Sequence, residues 1–236
     1  MNEIVTNELP TLYELLLKKI ENLYEQFVAS KGFFTIALSG GSTPLPLYSL
    51  LAKTNAIDFN KVFFFIVDER FVDLNSNDNN YNAINKALFS KIDNNSLNIL
   101  YIDPTFDTPD ESAQDYENKI KNFFSEKGTA PAMDVVLLGI GDDGHTASIF
   151  PGDSTLFLKN SICTATDLVY NNYFRITLTA DFINKSEYVF FLVIGENKKN
   201  AVFKVVQKKA KNLPASHINA KVVNYFLDPL AASCLK

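Results

Sequence analysis

Short runs of apolar residues recur along the chain, and each is followed by a turn of glycine and polar residues. The four clearest runs are residues 33–38 (FFTIAL), 61–67 (KVFFFIV), 135–138 (VVLL) and 187–194 (EYVFFLVI). They are too short for buried helices and are rich in β-branched and aromatic residues, which is typical of strands buried on both faces of a parallel sheet. Weaker runs predict further strands at 97–102, 174–178 and 222–227.

Between these runs, apolar residues recur at the three- and four-residue spacing of amphipathic helices. Such segments are residues 12–27, 47–51, 81–88, 113–124 and 201–206, and a short helix is predicted at 214–218. Because strands alternate with helices, the pattern predicts a Rossmann-like α/β fold, with a mostly parallel sheet and helices on both faces. No linker or repeat divides the chain, so we expect one α/β domain over residues 1–236. Residues 153–172 are less regular, and we expect them to cover the site as a loop.

Four predicted strands end in polar segments, which are the natural candidates for a binding site. They are Gly40-Gly41-Ser42-Thr43, Asp68-Glu69-Arg70, Asp142-Asp143-Gly144-His145 and Gly195-Glu196-Asn197-Lys198. The carboxyl ends of parallel strands meet at one edge of a sheet, where ligands of open α/β sheets bind. We therefore expect these four segments to lie together.

The first polar segment has the order strand, glycine-rich turn, helix. Thr43 is predicted to cap that helix and Pro44 to occupy its first position. Free backbone N–H groups at such a helix start can hold a phosphate. A plain capped turn is the alternative, because the pattern is neither G-x-G-x-x-G nor a Walker P-loop.

The basic residues point to anion recognition as well. The 22 basic residues comprise 20 lysines and only two arginines, Arg70 and Arg175. Arginine grips phosphate or carboxylate through two parallel bonds, which lysine cannot do, so both arginines are candidates for an anion site. Ordinary surface arginines are the alternative. Lys198 is predicted at a helix start, where a cation is disfavoured unless an anion is bound.

His145 is one of two histidines in the chain and follows the strand at 135–138. Histidine suits proton removal from water, so His145 is a candidate general base, with Asp143 or Asp68 orienting its ring. The alternatives are a loop histidine without a reaction and an Asp-Gly pair that only forms a turn. His217 follows Pro214-Ala215-Ser216 at a predicted helix start, and we interpret it as structural.

Charge and composition exclude several classes of function. The net charge of −5 argues against a nucleic-acid partner. No apolar run is long enough to span a bilayer, and the first residues do not form a secretory signal, so we expect no membrane partner. Cys163 and Cys234 are too few for a disulfide framework, which favours a cytoplasmic protein with reduced cysteines.

The reactive residues also lack the patterns of two common types of catalysis. No cluster has metal-ligand spacing, so we expect no metal and no cofactor. No serine or cysteine has the context of a nucleophile elbow, which argues against covalent acyl transfer. We expect a small phosphorylated molecule as the partner and a monomer or weak homo-oligomer.

Several motifs in combination are more specific than any one of them. They are SGGSTPLPLY (39–48), VDERFV (67–72), NDNNY (77–81), LLGIGDDGHTASIFPG (137–152), RITLT (175–179), VIGENK (193–198), LPAS (213–216) and YFLD (225–228). This combination resembles the 6-phosphogluconolactonases, which are related to glucosamine-6-phosphate isomerase/deaminase. The resemblance runs from about residue 30 to the C-terminus. It implies hydrolysis of 6-phosphoglucono-1,5-lactone to 6-phosphogluconate, the second step of the oxidative pentose phosphate pathway.

The resemblance also implies roles for individual residues. His145 would be the general base that activates water against the C1 carbonyl, with Asp143 and Asp68 shaping the charge around it. Arg70 and Arg175 would bind the phosphate or stabilise the charge that develops on the lactone oxygen, and the division between them stays open. The groups that would hold the substrate phosphate are Gly40, Gly41, Ser42, Thr43, Gly144 and Lys198.

Two other functions occur in proteins of related sequence or fold, and the residues argue against both. A deaminase has Asp-Glu-Tyr where this chain has Asp68-Glu69-Arg70, and Gly-His-Ile-Ala-Phe-Asn-Glu-Pro where this chain reads GHTASIFP. Phe150 therefore replaces the glutamate that would serve ring opening, and a phenyl ring cannot transfer a proton. A non-catalytic sugar-phosphate sensor would usually carry a DNA-binding module and could lose the histidine. We expect no such module here, and the histidine is present.

Overall fold

The computed structural model describes residues 3–93 and 97–235. Within them the chain forms strands β1 (Glu3–Thr6), β2 (Phe34–Leu38), β3 (Val62–Ile66), β4 (Asp68–Arg70), β5 (Asn98–Leu100), β6 (Val135–Leu138), β7 (Cys163–Ala165), β8 (Arg175–Leu178), β9 (Tyr188–Val193) and β10 (Val222–Leu227). The α-helices are α1 (Thr11–Lys31), α2 (Leu45–Leu51), α3 (Asn80–Ala87), α4 (Pro109–Glu126), α5 (Ala180–Ile183), α6 (Lys199–Val202) and α7 (Pro229–Ala232).

The main sheet has the strand order β1-β10-β9-β6-β2-β3-β5, and all its pairings are parallel. From β2 the chain proceeds outward through β3 to β5. From β6 it proceeds in the opposite direction through β9 to β10. The direction of winding therefore changes between β2 and β6, and the crevice beyond such a switch point is where α/β sheets bind ligands.

Burial of the central strands confirms the predicted α/β class. Every residue of β2 and β6 is buried, so both faces of the sheet are covered at its centre. Helix α1 buries Leu12, Leu16 and Ile20 at helical spacing, as predicted. It ends at Gly32, whose φ of 85° is the left-handed cap conformation that glycine adopts without strain.

A second, antiparallel sheet of three strands has the order β4-β8-β7. Val67 links it to the main sheet, because its N–H donates to Leu38 O (3.0 Å) while its carbonyl accepts from Leu178 N (2.8 Å). The segment Asp68–Arg70, expected at the end of a strand, is thus a strand itself. Local pattern did not predict this, since β4 has no apolar residue and owes its conformation to pairing with distant β8.

Several boundaries differ from the predicted ones for local reasons. The predicted cap at Thr43 is wrong: α2 begins at Leu45, Pro44 occupies the cap position, and no side chain caps this helix. The Thr43 carbonyl instead accepts from the Tyr13 hydroxyl (3.0 Å). Helix α4 begins before residue 113, because Thr108 and Glu111 form a capping box.

The pattern of apolar residues did not predict several short elements. Strand β1 and the single-turn helices α5 and α7 were not predicted, because four residues are too few to show a period. Residues 153–172 contain a 3-10 helix (Ser154–Phe157) and strand β7. Among the described residues, no helix is both long and apolar enough to cross a membrane.

Candidate active site

A cleft of about 310 Å³ lies at the carboxyl edge of the main sheet, beyond β2, β6 and β9. Its size is in the range of small-ligand sites. The predicted site residues that line it are Gly40, Gly41, Thr43, Asp68, Arg70, His145, Arg175 and Lys198. Residues from all four predicted strand-end segments are therefore brought together at this edge of the sheet.

The glycine turn after β2 forms one wall of the cleft. Ser39 Oγ donates to Leu137 O (2.6 Å), which fastens the turn to the neighbouring strand β6. Gly40 is required by close approach, because a Cβ there would lie 2.0 Å from Asn80 Oδ1. Gly41 has a φ of +88°, which also favours glycine. The turn thus presents bare backbone to the cleft.

His145 is fixed by the loop that follows β6. Its backbone N–H and its Nδ1 both contact Asp143 Oδ1, at 3.0 and 2.6 Å. A side chain at Gly141 would collide with the imidazole, since its Cβ would lie 2.1 Å from Nδ1. Because Nδ1 is engaged by a carboxylate, Nε2 is the nitrogen that can accept a proton in the neutral ring. The hydrogen bond with His145 lowers the pKa of Asp143.

Two aromatic side chains extend the packing around this histidine. The Phe150 ring lies 4.8 Å from the imidazole, centroid to centroid, and Tyr170 stacks on Phe150 at 3.8 Å. The Tyr170 hydroxyl donates to Asp153 Oδ2 (2.9 Å). The sequence pattern gives no role to Tyr170, because this residue belongs to the irregular segment 153–172 and meets Phe150 only in the folded chain.

Asp68 is the buried carboxylate of the cleft. It accepts a hydrogen bond from Ser148 Oγ (2.6 Å), and its backbone carbonyl accepts from Asn80 Nδ2 (2.8 Å). Burial raises the pKa of Asp68, while the Ser148 bond and the charges of Arg175, His145 and Arg70 act in the opposite direction. Ser148 and Asn80 also line the cleft, although sequence reasoning assigned them no role.

The two arginines are direct partners across the antiparallel pair β4–β8. Residues opposite each other in such a pair share one face, where two like charges are unfavourable. Arg70 Nη1 donates to Asp78 O (2.7 Å), whereas Arg175 Nε and Nη2 donate to Tyr170 O (3.3 and 3.2 Å). Burial and the charge of Arg70 lower the pKa of Arg175. A bound anion would relieve this repulsion, so the pair favours an anion in the cleft.

Lys198 adds a third cation to the lining. It ends a 3-10 helix (Glu196–Lys198) that follows Gly195, whose N–H donates to Asp228 Oδ1 (3.0 Å). Its Nζ lies 3.9 Å from Asp142 Oδ1. Among the described residues, the charged side chains that line the cleft are thus three cations and Asp68, although the chain as a whole has a net charge of −5.

The remaining predicted residues lie behind or beside the lining. Asp143 acts on the His145 ring, as described. Ser42 is exposed at the turn. Gly144 has a φ of +85° and accepts a hydrogen bond from Ala215 N through its carbonyl (3.1 Å), so it supports the loop. His217 Nε2 lies 2.7 Å from Lys211 O. His217 is not part of the cleft lining, as expected for a structural residue.

Fold and site together define an α/β protein with a histidine–aspartate pair beside a cationic cleft. The family model for glucosamine-6-phosphate isomerases/6-phosphogluconolactonase matches residues 8–226. The chain therefore belongs to this family. The match also includes helix α1, which lies before the region where the motifs carried the resemblance.

Curated relatives and solved structures agree with the family assignment. The 6-phosphogluconolactonase of Nostoc sp. is 40% identical over 202 residues, which are 85% of this chain and 81% of the relative. The Thermotoga maritima 6-phosphogluconolactonase crystal structure has a TM-score of 0.86 at 31% identity, covering 97% of this chain and all of that one. The Trypanosoma brucei 6-phosphogluconolactonase structure has a TM-score of 0.86 at 27% identity and covers 100% of this chain and 99% of that one.

Proposed function

We propose that this protein hydrolyses 6-phospho-D-glucono-1,5-lactone to 6-phospho-D-gluconate, the second step of the oxidative pentose phosphate pathway. The observation that carries the proposal is the position of His145, which is held by Asp143, in the same cleft as the Arg70–Arg175 pair. A base and an anion site are what a phosphorylated lactone requires. The relatives named 6-phosphogluconolactonase support the same substrate.

In the proposed mechanism, His145 acts as general base through Nε2. It takes a proton from a water molecule as the water oxygen forms a bond to C1 of the lactone. The positive charges of the cleft lining stabilise the negative charge that develops on the carbonyl oxygen. The C1–O5 bond then breaks, and the proton held by His145 passes to O5, which becomes the 5-hydroxyl of the open acid. Asp143 keeps Nδ1 protonated throughout.

The phosphate is held by the cationic side of the cleft. A phosphate dianion between Arg70 and Arg175 would remove the like-charge repulsion of the pair, so we assign both arginines to the phosphate. Lys198 adds a third positive charge, and the turn Gly40-Gly41-Ser42-Thr43 offers backbone N–H groups and hydroxyls. Gly144 supports this arrangement through the loop rather than by direct contact.

The deaminase reaction is disfavoured by the neighbour of the histidine. Phe150, which replaces the glutamate expected for ring opening, packs its ring on the imidazole at 4.8 Å. This environment is apolar and supplies no second proton carrier at that position. Lactone hydrolysis needs only one base, so the observed packing is compatible with it.

We further propose a cytoplasmic, single-domain enzyme that acts as a monomer or weak homo-oligomer. It would require no metal or cofactor and no nucleic-acid partner. The two free cysteines support the cytoplasmic assignment. The net charge of −5 supports the absence of a nucleic-acid partner.

The decisive experiment measures hydrolysis of freshly prepared 6-phosphoglucono-1,5-lactone, coupled to 6-phosphogluconate dehydrogenase, with the spontaneous rate subtracted. Wild type and His145→Ala are compared, with His217→Ala as the matched control. We expect His145→Ala to lose kcat by about 10³-fold, as for removal of a general base, and His217→Ala to retain it. Absence of turnover by wild type would refute the proposed function. Full turnover by His145→Ala would leave the function but remove this histidine from the mechanism.

A further inference from the structure

Tyr170 lies in a tight hairpin, and the next residue of that hairpin, Asn171, lines the cleft. Tyr170 N donates to Tyr173 O (2.9 Å), and Tyr173 N donates to Tyr170 O (3.2 Å). The two residues between them, Asn171 and Asn172, have φ angles of 49° and 70°. Positive φ at both central residues is the geometry of the two-residue turn that matches the twist of an antiparallel pair, and asparagine adopts it readily. The backbone of Tyr170 is therefore held in one place.

From this position Tyr170 reaches both halves of the site. Its ring stacks on Phe150 at 3.8 Å with an interplanar angle of 12°, and Phe150 in turn packs on His145. Its carbonyl accepts hydrogen bonds from Nε and Nη2 of the Arg175 guanidinium. Its hydroxyl is tied to the buried carboxylate of Asp153.

We propose that Tyr170 is a positioning residue, which fixes the imidazole of His145 and the guanidinium of Arg175 relative to each other. This inference rests on the proposed function for its effect on rate. Asp143 restrains one nitrogen of the imidazole, and a single hydrogen bond leaves the ring plane free to tilt. The Tyr170–Phe150 stack supplies the surface against which that plane is held.

The side chain and the backbone of Tyr170 have separable roles. The carbonyl that holds Arg175 remains in any substitution, whereas the ring that supports Phe150 does not. Tyr170→Leu should therefore lower kcat, on the order of 10-fold because a displaced base reacts poorly, and leave KM nearly unchanged. Tyr170→Phe keeps the stack and loses only the bond to Asp153, so its kcat should stay within about twofold of wild type.

The test also needs a readout that does not depend on turnover. Because His145 and His217 are the only histidines in the chain, the long-range ¹H–¹⁵N spectrum contains two imidazoles, which His145→Ala assigns. We expect the His145 signals to move and broaden in Tyr170→Leu and to stay in place in Tyr170→Phe. Phe150→Leu breaks the same stack from its inner side and should move them likewise.

Tyr225→Leu is the matched control, since Tyr225 stacks on Phe191 in the core (5.1 Å, 5°) in the same manner. It should lower the melting temperature without moving the His145 signals or kcat. Unmoved His145 signals in Tyr170→Leu, or moved signals with wild-type kcat, would overturn the inference. If wild type does not hydrolyse the lactone, the proposed function fails, and the His145 signals alone then decide whether Tyr170 positions the ring.

Discussion

The two sheets of this protein bury different kinds of residue. The parallel strand β6 buries only apolar side chains (Val135–Leu138). The antiparallel sheet instead buries ionisable groups, with Asp68, Glu69 and Arg175 exposed by 7%, 0% and 5%. A strand covered on both faces has no room for charge, so the main sheet can present reactive groups only in the loops that follow its strands.

This difference divides the site into two halves, one with the proposed base and one with the arginine pair. His145 is carried by the loop that follows main-sheet strand β6, whereas Arg70 and Arg175 belong to strands of the small sheet. Side chains carried by strands are held more precisely than side chains carried by loops. Under the proposed function, the small sheet would supply the anion site and the loop would supply the proton acceptor. Substitutions on the two sides should therefore affect different kinetic constants.

After His145→Ala, the largest effect is expected on the main-sheet side as well, for Asp143→Asn. An asparagine amide would donate to Nδ1 and favour the tautomer with the proton on Nε2, which cannot act as base. We expect kcat to fall by about 10²-fold, with KM within about twofold of wild type. Lactone hydrolysis measured at saturating substrate checks this.

Asp142→Asn is the control for this prediction, because its exposed carboxylate does not touch the imidazole and lies 3.9 Å from Lys198. It should keep kcat. Equal losses in the two variants would show that the loop responds to charge in general and that the bond from Nδ1 to Asp143 has no special role.

On the small-sheet side, Arg70→Lys and Arg175→Lys should act on binding. Each keeps the charge but loses the second parallel bond to phosphate, so KM should rise by about 10-fold while kcat changes little. Unphosphorylated glucono-1,5-lactone serves as the control substrate, because its hydrolysis does not use the anion site. If kcat falls equally for both substrates, the arginines stabilise the developing oxyanion instead, and the division of the site into two halves is wrong.

The same division explains which parts of the site the sequence predicts. The main-sheet strands show an apolar run followed by glycine and polar residues, so their loops are recognisable locally, and the pair of Asp143 and His145 is a local contact. The small sheet has no such signature. Its strand β4 consists of three charged residues and pairs with β8, which comes from a distant part of the chain.

Residues that approach the site from another element were missed for the same reason. No local sequence pattern indicates a role for Asn80. Its side chain nevertheless packs against Gly40 and donates a hydrogen bond to the Asp68 carbonyl. Tyr170 stacks on Phe150, which in turn packs on His145. Such contacts depend on the relative placement of elements, which neither apolar periodicity nor residue spacing specifies.

The smallest effect on activity, but a distinct effect on stability, is expected for Glu69→Gln. Glu69 is fully buried, and its carboxylate accepts from the backbone N–H groups of Arg70 (2.7 Å), Asn80 (2.7 Å) and Tyr81 (2.9 Å). It therefore joins strand β4 to the start of helix α3. A glutamine would turn one acceptor into a donor facing an N–H group, which should cost about 1–3 kcal/mol of unfolding free energy.

The cost of this substitution should also depend on pH. Burial raises the pKa of Glu69 to about 7 in the folded protein, above the value of about 4.3 that an unfolded glutamate has. The folded state consequently binds the proton more tightly, and the stability that this contributes is present below the unfolded value and is lost as pH rises through about 7. Glutamine does not titrate, so Glu69→Gln should destabilise the protein more at pH 5 than at pH 8.

Urea unfolding of wild type and Glu69→Gln at the two pH values measures this difference. Glu126→Gln, a change at an exposed glutamate in helix α4, is the matched control and should leave stability unchanged at both. The charge burial that distinguishes the small sheet would then have a measurable cost, which strand β6, with its apolar side chains, does not have. The same destabilisation at pH 5 and pH 8 would mean that Glu69 keeps an ordinary pKa and that its three N–H bonds outweigh its burial.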